Sequence, residues 1–214
     1  MTTIYANVGI VGTGAMGRGI AQIAAQAKST VKLYDTQVGT ATKARESICQ
    51  QWDKLLEKGR ISAEEVQAFK DRLQVANSLS ELASCQLVVE AVVERLDIKK
   101  SLFAELETLL PSTAVLASNT SSLSVTAIAA GLKHPERVVG YHFFNPVPLM
   151  KVVEVIAGIK TASSVCTDLA AYAKQMGHTP VMAADTPGFI VNHAGRGYGT
   201  EALRIVGEGV ADFA

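Results

Sequence analysis

The sequence has few cysteines, and their positions argue against both structures that cysteines most often build. Cys49, Cys85 and Cys166 are odd in number, lie far apart, and form neither a CxxC pair nor a Cys/His metal-ligand spacing. We therefore expect neither a disulfide framework nor a metal site. Reduced thiols of this kind are typical of a cytoplasmic protein.

The sequence also lacks a net charge and any long apolar run. Its 20 basic residues balance its 20 acidic residues, and no Lys/Arg cluster interleaves with aromatic residues. Because phosphate contacts dominate nucleic-acid binding, we expect no nucleic-acid partner. No apolar stretch approaches the ~18–20 residues of a membrane span, and no secretion signal is visible, so we expect no membrane association.

What is present is an alternation of short apolar runs with helical patterns, in a chain that is 48% hydrophobic. This alternation predicts an α/β fold with a mostly parallel, doubly wound sheet covered on both faces. The predicted strands span 8–11, 31–35, 73–75, 87–91, 114–117, 138–141, 152–156 and 179–183. Helices are predicted over 15–27, 37–57, 94–110, 125–130, 164–176 and 189–206.

An inserted helical hairpin is predicted over residues 37–72, after the second strand. Gly59 favours a helix end, and Ser62 with Glu65 three residues later predicts a capping box at the start of the second helix. A domain boundary is predicted near residue 186. Residues 1–186 then form the first domain, and 187–214 the first helix of a second, helical domain that is cut short.

The first strand leads into the glycine motif Gly12-Thr13-Gly14-Ala15-Met16-Gly17, and a helix follows. Asp35 ends the second strand, 23 residues after Gly12, close to the ~20 residues expected of a Rossmann-type dinucleotide site. Gly12 permits a tight turn, Gly14 lets the backbone approach a pyrophosphate, and Gly17 allows close helix–strand packing. Asp35 can accept the ribose hydroxyls and disfavours a 2′-phosphate. The motif therefore predicts NAD, although glycines at this spacing also occur in ordinary turns.

A histidine and a carboxylate on neighbouring strands could form a general base with its orienting partner. His142 lies near the end of one predicted strand and Glu154 in the next. In parallel sheets, functional residues usually lie at the carboxyl ends of the strands, and we expect both residues there. The alternatives are a structural histidine and a solvent-facing glutamate.

Five segments together resemble the 3-hydroxyacyl-CoA dehydrogenase family, over essentially the whole chain. They are the glycine motif, Ser118-Asn-Thr-Ser-Ser-Leu123, His142-Phe-Phe-Asn-Pro-Val147, Val152-Val-Glu-Val155 and Asp185-Thr-Pro-Gly-Phe-Ile-Val-Asn192. The resemblance implies NAD-dependent oxidation of (S)-3-hydroxyacyl-CoA to 3-oxoacyl-CoA. It also implies an acyl-CoA substrate and a homodimer formed through the helical domain.

The resemblance assigns roles to individual positions. His142 would accept the hydroxyl proton, Glu154 would orient it, and Ser121 and Asn192 would hold substrate oxygens. Glu94, Lys99, Ser121 and Asn145 match positions near the nicotinamide half of NAD. Lys58, in a basic hairpin end with Lys54 and Arg60, would contact a CoA phosphate.

Each of these roles has a plainer alternative. Ser121 could cap a helix, Asn192 could form a turn, and Glu94 with Lys99 could be an exposed pair at the start of a helix. Lys58 could belong to a solvated basic helix end.

The sequence departs from the family in two places. His193 stands where the family usually has an arginine, and a glycine-rich stretch follows it, which leaves the acyl-chain preference open. Fatty-acid β-oxidation, a butyrate-type route and phenylacetate-type aromatic-acid degradation all fit. The chain also ends at Ala214, before the family's helical domain does, so we expect it to bind NAD but to close poorly over acyl-CoA.

Two other functions fit the same residues. One is a dehydrogenase of free hydroxy acids or sugar acids on the same fold, and the other is a non-catalytic NAD-binding module. The hairpin lysines favour CoA, and the joint presence of Ser121, His142, Glu154 and Asn192 favours catalysis.

Overall fold

The computed structural model describes residues 3–212, so the outermost residues of both predicted domains lie outside it. In this range, eight strands form one sheet in the order β3-β2-β1-β4-β5-β6-β7-β8. The strands are β1 Asn7–Val11, β2 Thr30–Tyr34, β3 Leu73–Val75, β4 Leu87–Glu90, β5 Val115–Ser118, β6 Val138–Phe143, β7 Val152–Ala157 and β8 Thr179–Ala184. The first six follow the order of a doubly wound dinucleotide fold.

Within the described residues, seven α-helices connect or follow these strands. They are α1 Ala15–Gln26, α2 Thr40–Glu57, α3 Ala63–Asp71, α4 Leu96–Leu109, α5 Val125–Ala129, α6 Ser163–Gln175 and α7 Val191–Gly207. Short 3₁₀ helices, which were not predicted, cover Leu79–Leu82 and Pro135–Arg137. Within the described residues, none of the helices has the length and apolar character needed to cross a bilayer.

The sheet is mostly parallel, as predicted, because six of its seven strand pairs are parallel and only β6 with β7 is antiparallel. One apolar cluster joins the sheet to α1, α2, α3 and α6. A second joins the opposite face to α4 and α5. Burial on both faces explains why the strands have nearly continuous apolar sequences.

The predicted hairpin is present as α2 and α3, with two boundary features that follow from its sequence. Gly59 adopts a left-handed φ of 63° after α2. Ser62 and Glu65 form the full capping box, since each side chain accepts a hydrogen bond from the other residue's backbone N–H. The predicted start of α2 at residue 37 is wrong, because Gly39 takes a left-handed φ of 81° and the helix begins at Thr40.

The segment between β8 and α7 turns sharply where the domain boundary is predicted. Asp185 accepts hydrogen bonds from Ser124 Oγ and from the N–H groups of Val125 and Thr126. Burial acts to raise the pKa of Asp185, but these hydrogen bonds outweigh it and hold the pKa below its usual range. The boundary itself remains a prediction. No residue of α7 is buried, and Tyr198 and Leu203 are largely exposed.

Candidate active site

The glycine motif forms a tight loop between β1 and α1 in which two of its glycines are sterically required. Gly12 has a φ of 88°, and a Cβ there would lie 2.7 Å from the carbonyl oxygen of Ala91. A Cβ on Gly17 would overlap the carbonyl oxygen of Gly12. Gly14 instead has open space within 4 Å of its Cβ position. The loop thus presses α1 against the sheet and leaves room for a ligand at the helix N-terminus.

The opening beside this loop has a volume of about 620 Å³. It is lined by Gly12, Thr13, Gly14 and Asp35 together with residues of α4. Asp35 Oδ2 accepts hydrogen bonds from Thr13 N (2.8 Å) and Thr13 Oγ1 (2.9 Å), and Oδ1 accepts one from Gln37 N (3.1 Å). A carboxylate has about four acceptor positions, so Asp35 keeps capacity for ribose hydroxyls. These residues fit a dinucleotide.

His142 and Glu154 stand directly opposite each other on β6 and β7. Both are buried, and His142 Nδ1 lies 2.6 Å from Glu154 Oε2. A carboxylate only accepts hydrogen bonds, so Nδ1 carries the proton and Nε2 holds the free lone pair. Within residues 3–212, Nε2 has no hydrogen-bond partner. The pair has the geometry of an oriented base.

The expected position of Glu154 at the carboxyl end of its strand is wrong. His142 is the penultimate residue of β6, whereas Glu154 is the third residue of β7. The two meet because β7 runs antiparallel to β6, which brings its amino-terminal half to the functional edge of the sheet. The solvent-facing alternative for Glu154 is also wrong, since its side chain is fully buried.

The second oxygen of Glu154 binds the start of α7. Oε1 accepts hydrogen bonds from Ile190 N and Val191 N, each at 2.9 Å. Phe189, just before them, adopts a left-handed φ of 49°, and its ring lies 5.8 Å from the His142 ring, centroid to centroid. A left-handed conformation costs a non-glycine residue about 1–2 kcal/mol. Burial of the Phe189 ring and the Glu154 hydrogen bonds offset this cost. Helix α7 therefore begins at Val191, after the predicted start at residue 189.

The serine turn after β5 brings Ser121, Asn192 and Glu94 together. Asn192 Nδ2 donates to the Ser121 carbonyl oxygen (3.2 Å), and Glu94 Oε1 accepts from Ser121 N (2.8 Å) and Ser121 Oγ (3.3 Å). Helix capping is the wrong alternative for Ser121, because Ser124 caps α5. Asn192 lies in the first turn of α7, so its turn alternative is also wrong.

Glu94 lies outside α4, which begins at Leu96 after the extended residue Arg95. Burial acts to raise the pKa of Glu94. Hydrogen bonds from Thr120 and Ser121 and the charge of Lys99 act against this and hold the pKa below its usual range. Glu94 therefore stays charged beside Ser121.

Lys99 belongs to a buried polar network that includes one carboxylate missed in the sequence. Its Nζ lies 2.5 Å from Glu90 Oε1 and 3.2 Å from Glu94 Oε2, and Glu90 also accepts from Val92 N and Ser118 Oγ. The exposed-pair alternative is wrong, because Lys99 is 0% exposed. The acidic residue at the end of the otherwise apolar β4 was the only available signal for Glu90.

The other predicted residues are dispersed around these groups. Ala15 and Met16 lie in the first turn of α1, and Asn145 is exposed in the loop after β6. Lys54, Lys58 and Arg60 are all exposed at the end of the hairpin. Among residues 3–212, no group of three or more His, Cys, Asp or Glu side chains is placed to hold a metal ion.

Comparison with known proteins identifies the family. Residues 7–186 match the model of the 3-hydroxyacyl-CoA dehydrogenase NAD binding domain. The chain belongs to this family. The match confirms the predicted resemblance, the Rossmann-type fold and NAD as the cofactor. The roles of individual site residues remain predictions.

Individual relatives cover the chain almost completely. The 3-hydroxyadipyl-CoA dehydrogenase of Escherichia coli K12 is 44% identical over 95% of this chain and 43% of its own length. A crystal structure of 3-hydroxybutyryl-CoA dehydrogenase from E. coli K12 superposes with a TM-score of 0.94 at 43% identity, over 97% of this chain and 44% of that one. The structure of (S)-3-hydroxybutyryl-CoA dehydrogenase from Ralstonia eutropha gives a TM-score of 0.93 at 33% identity, over 98% and 74%. The chain thus spans less than half of the E. coli relatives.

Proposed function

We propose that this protein oxidises the 3-hydroxyl group of an (S)-3-hydroxyacyl-CoA thioester to a ketone with NAD. The observation that carries the proposal is the buried His142–Glu154 pair, whose Nε2 is left unpartnered among residues 3–212. Family membership supplies the redox context, because its matched part is an NAD binding domain. When bound, NAD supplies the hydride acceptor.

In this proposal His142 Nε2 accepts the proton of the 3-hydroxyl group. Glu154 accepts the Nδ1–H hydrogen bond, which places the lone pair of the neutral imidazole on Nε2 and stabilises the imidazolium that forms afterwards. The rings of Phe144 and Phe189 lie beside the imidazole, with centroids 4.5 and 5.8 Å from its own. The proton therefore has a single acceptor held in one orientation.

Ser121 and Asn192 are proposed to contact the substrate oxygens. The Asn192 side chain already donates to the backbone carbonyl oxygen of Ser121, and the Ser121 N–H and hydroxyl both donate to Glu94. Glu94, Lys99, Ser121 and Asn145 are proposed to border the nicotinamide. The second N–H of the Asn192 amide, and the Ser121 hydroxyl once its proton turns away from Glu94, can donate to an oxygen that becomes more negative as the hydroxyl proton leaves.

The acyl group, partner and compartment belong to the same proposal. The names of the relatives include both a four-carbon monocarboxylic and a dicarboxylic acyl group. Fatty-acid degradation and phenylacetate-type degradation therefore both remain within the proposal. Lys58 is proposed to contact a CoA phosphate, and the exposed apolar residues of α7 to join a helical domain that forms a homodimer. The three free thiols favour a reducing cytoplasm.

The test is NADH formation from NAD and a panel of 3-hydroxyacyl-CoAs, including 3-hydroxybutyryl-CoA and 3-hydroxyadipyl-CoA. Free 3-hydroxybutyrate is the matched control, and we expect turnover of a thioester only. Preferred oxidation of the free acid would favour the hydroxy-acid alternative. Saturable NAD binding without NADH from any substrate would instead favour a non-catalytic NAD-binding protein.

A further inference from the structure

A second buried histidine lies on the other face of the sheet from His142. His178 stands between α6 and β8 and is 4% exposed. Its ring makes a T-shaped contact with the ring of Phe143, at 5.5 Å between centroids. Phe143 follows His142 on β6, and successive side chains of a strand point to opposite faces. His178 therefore lies near the functional edge of the sheet but outside the proposed catalytic pair.

Both ring nitrogens of His178 lie against backbone carbonyl oxygens. Nδ1 is 3.1 Å from the carbonyl oxygen of Met176, and Nε2 is 3.0 Å from that of Val147. A carbonyl oxygen only accepts hydrogen bonds, and a neutral imidazole has a single N–H. Both contacts are therefore hydrogen bonds only when the ring is an imidazolium. A neutral ring leaves one of the two carbonyls facing a lone pair.

The two carbonyls belong to parts of the chain that are held differently. Met176 follows α6 directly, and the backbone N–H of His178 donates to the Ala173 carbonyl oxygen at 2.9 Å. Val147 lies in residues 145–150, between β6 and β7, which we call the β6–β7 segment. Within residues 3–212, the contact with His178 is the one hydrogen bond that joins this segment to the rest of the protein. His178 thus ties the segment to the end of α6.

The Val147 side chain anchors the same segment to α1. Val147 is 1% exposed, and a Cβ on Gly19 would lie 2.7 Å from its Cβ. The neighbouring residues Asn145, Pro146 and Leu149 are exposed. Asn145, which is proposed to border the nicotinamide, lies two residues before this anchor. Its position therefore depends on how firmly Val147 is held.

The titratable groups around His178 are neutral or lie toward the surface. On the His178 face of the sheet, the buried titratable side chains of β6 and α6 are Tyr141, Cys166 and Tyr172. Burial raises the pKa of all three, so each stays neutral between about pH 5 and 8. The charged side chains of α1, α6 and the residue before β7 are Arg18, Asp168, Lys174 and Lys151, and none of them pairs with His178 within the described chain. His142 and Glu154 lie on the other face.

We propose that His178 is a positioning residue that, with both ring nitrogens protonated, holds the β6–β7 segment in place for cofactor binding. The proposal rests on the proposed function, which assigns Asn145 to the nicotinamide. Loss of one ring proton removes one of the two hydrogen bonds. The hold on the Val147 carbonyl is therefore complete at low pH and weakens as the pH rises.

The first measurement is NMR of protein labelled with ¹⁵N in histidine and ¹³C in the valine carbonyls, over about pH 8 to pH 5. At the lower pH both ring nitrogens of His178 should carry protons. As the second proton is lost, the Val147 carbonyl signal should shift with the same midpoint. A ring that stays singly protonated at the lower pH, or a carbonyl signal that does not follow the ring, overturns the inference.

The second measurement is calorimetric titration with NAD of wild type and His178→Phe, at about pH 5.5 and pH 8. Phenylalanine keeps a ring beside Phe143 and removes both donors. NAD binding should weaken by about threefold to tenfold at the lower pH, the effect of losing about one hydrogen bond, and by a smaller factor at the higher pH. Any titration of His142 is common to both proteins and cancels in their ratio.

His178→Gln keeps one amide donor, so it should have a smaller effect and serves if the phenylalanine variant does not fold. His134→Gln is the matched control, because it removes an exposed histidine just before β6 rather than one beside its end. It should leave NAD binding unchanged at both pH values. A role in stability alone would lower the free energy of unfolding in urea but leave the NAD affinity of the folded protein unchanged. That result, or an equal loss of affinity at both pH values, overturns the inference.

Failure of this inference can be separated from failure of the proposed function, because neither measurement needs a substrate. NADH formation from a 3-hydroxyacyl-CoA, with NAD affinity insensitive to His178, would retain the function and remove the positioning role. NAD binding that depends on His178 and on pH, without oxidation of any thioester, would do the reverse.

Discussion

Two buried acid–base pairs lie at the carboxyl edge of the parallel strands, and they are built alike. Glu90 and Glu154 are both fully buried, and each carboxylate accepts three hydrogen bonds. The pairs differ in the base. Lys99 is enclosed, with its ammonium group between two carboxylates, whereas His142 uses one ring nitrogen and leaves the other without a partner in the described chain.

This difference distinguishes an ion pair with a structural role from a pair whose base can still accept a proton. A buried carboxylate with three donors is well satisfied in either case and does not by itself indicate chemistry. An ammonium group that is committed to two carboxylates cannot accept a proton. An imidazole held by one nitrogen keeps a lone pair on the other. The free nitrogen is therefore the feature that favours catalysis by His142.

The largest expected effect is on turnover. His142→Gln should reduce kcat by about 10²–10⁴, because a glutamine amide can still donate to Glu154 but cannot act as a base. NAD affinity should change little. The measurement is NADH formation beside an NAD titration. Turnover within about tenfold of wild type would show that His142 is not the base.

The second expected effect is on the stability of the fold rather than on turnover. Lys99→Met leaves Glu90 buried without its counter-ion and should lower the free energy of unfolding by about 3–5 kcal/mol. Urea denaturation measures this loss. Lys70→Met is the matched control, because Lys70 pairs with Asp53 at the surface and should contribute at most about 1 kcal/mol. Equal losses in the two variants would contradict a structural role specific to the buried pair.

The smallest effect concerns Glu94, which links Lys99 to the serine turn. Its pKa is lowered in the folded state, so its contribution to stability is present above the unfolded value of about 4.3 and is lost as the pH falls through the folded value. Glu94→Gln should cost at most about 1 kcal/mol at neutral pH, since the side chain is partly exposed and screened.

The difference between wild type and Glu94→Gln should shrink toward zero as the pH is lowered from 7 to about 3 in urea titrations. Glu57→Gln, at an exposed position near the end of α2, is the control and should show a much smaller difference. A difference that stays constant or grows on acidification would contradict the lowered pKa of Glu94.

Features specified by neighbouring residues could be predicted from the sequence. The glycine motif, the Ser62–Glu65 capping box and the order of strands and helices depend on local spacing, and the structure confirms them. The backbone conformations of two residues moved the starts of two helices away from their predicted positions. Gly39 delays α2, and the extended residue Arg95 places Glu94 before α4.

Three features that depend on tertiary contacts were not predicted. The antiparallel direction of β7 brings Glu154 to His142, and strand spacing alone does not specify direction. The role of Glu90 depends on Lys99 and Ser118, which are distant in sequence. The bonds from Ile190 and Val191 to Glu154 likewise join residues more than 35 positions apart.

Those two amide bonds connect the orientation of α7 with the imidazole of His142. Glu154 is the shared part, because one oxygen holds the helix and the other holds the ring. A displacement of α7 would remove two donors from the carboxylate and free it to rotate, and the ring would follow. By thermodynamic linkage, a ligand that favours one ring position also favours one helix position. The Glu154 carboxylate, which holds the imidazole of His142, therefore also holds the start of α7 in place.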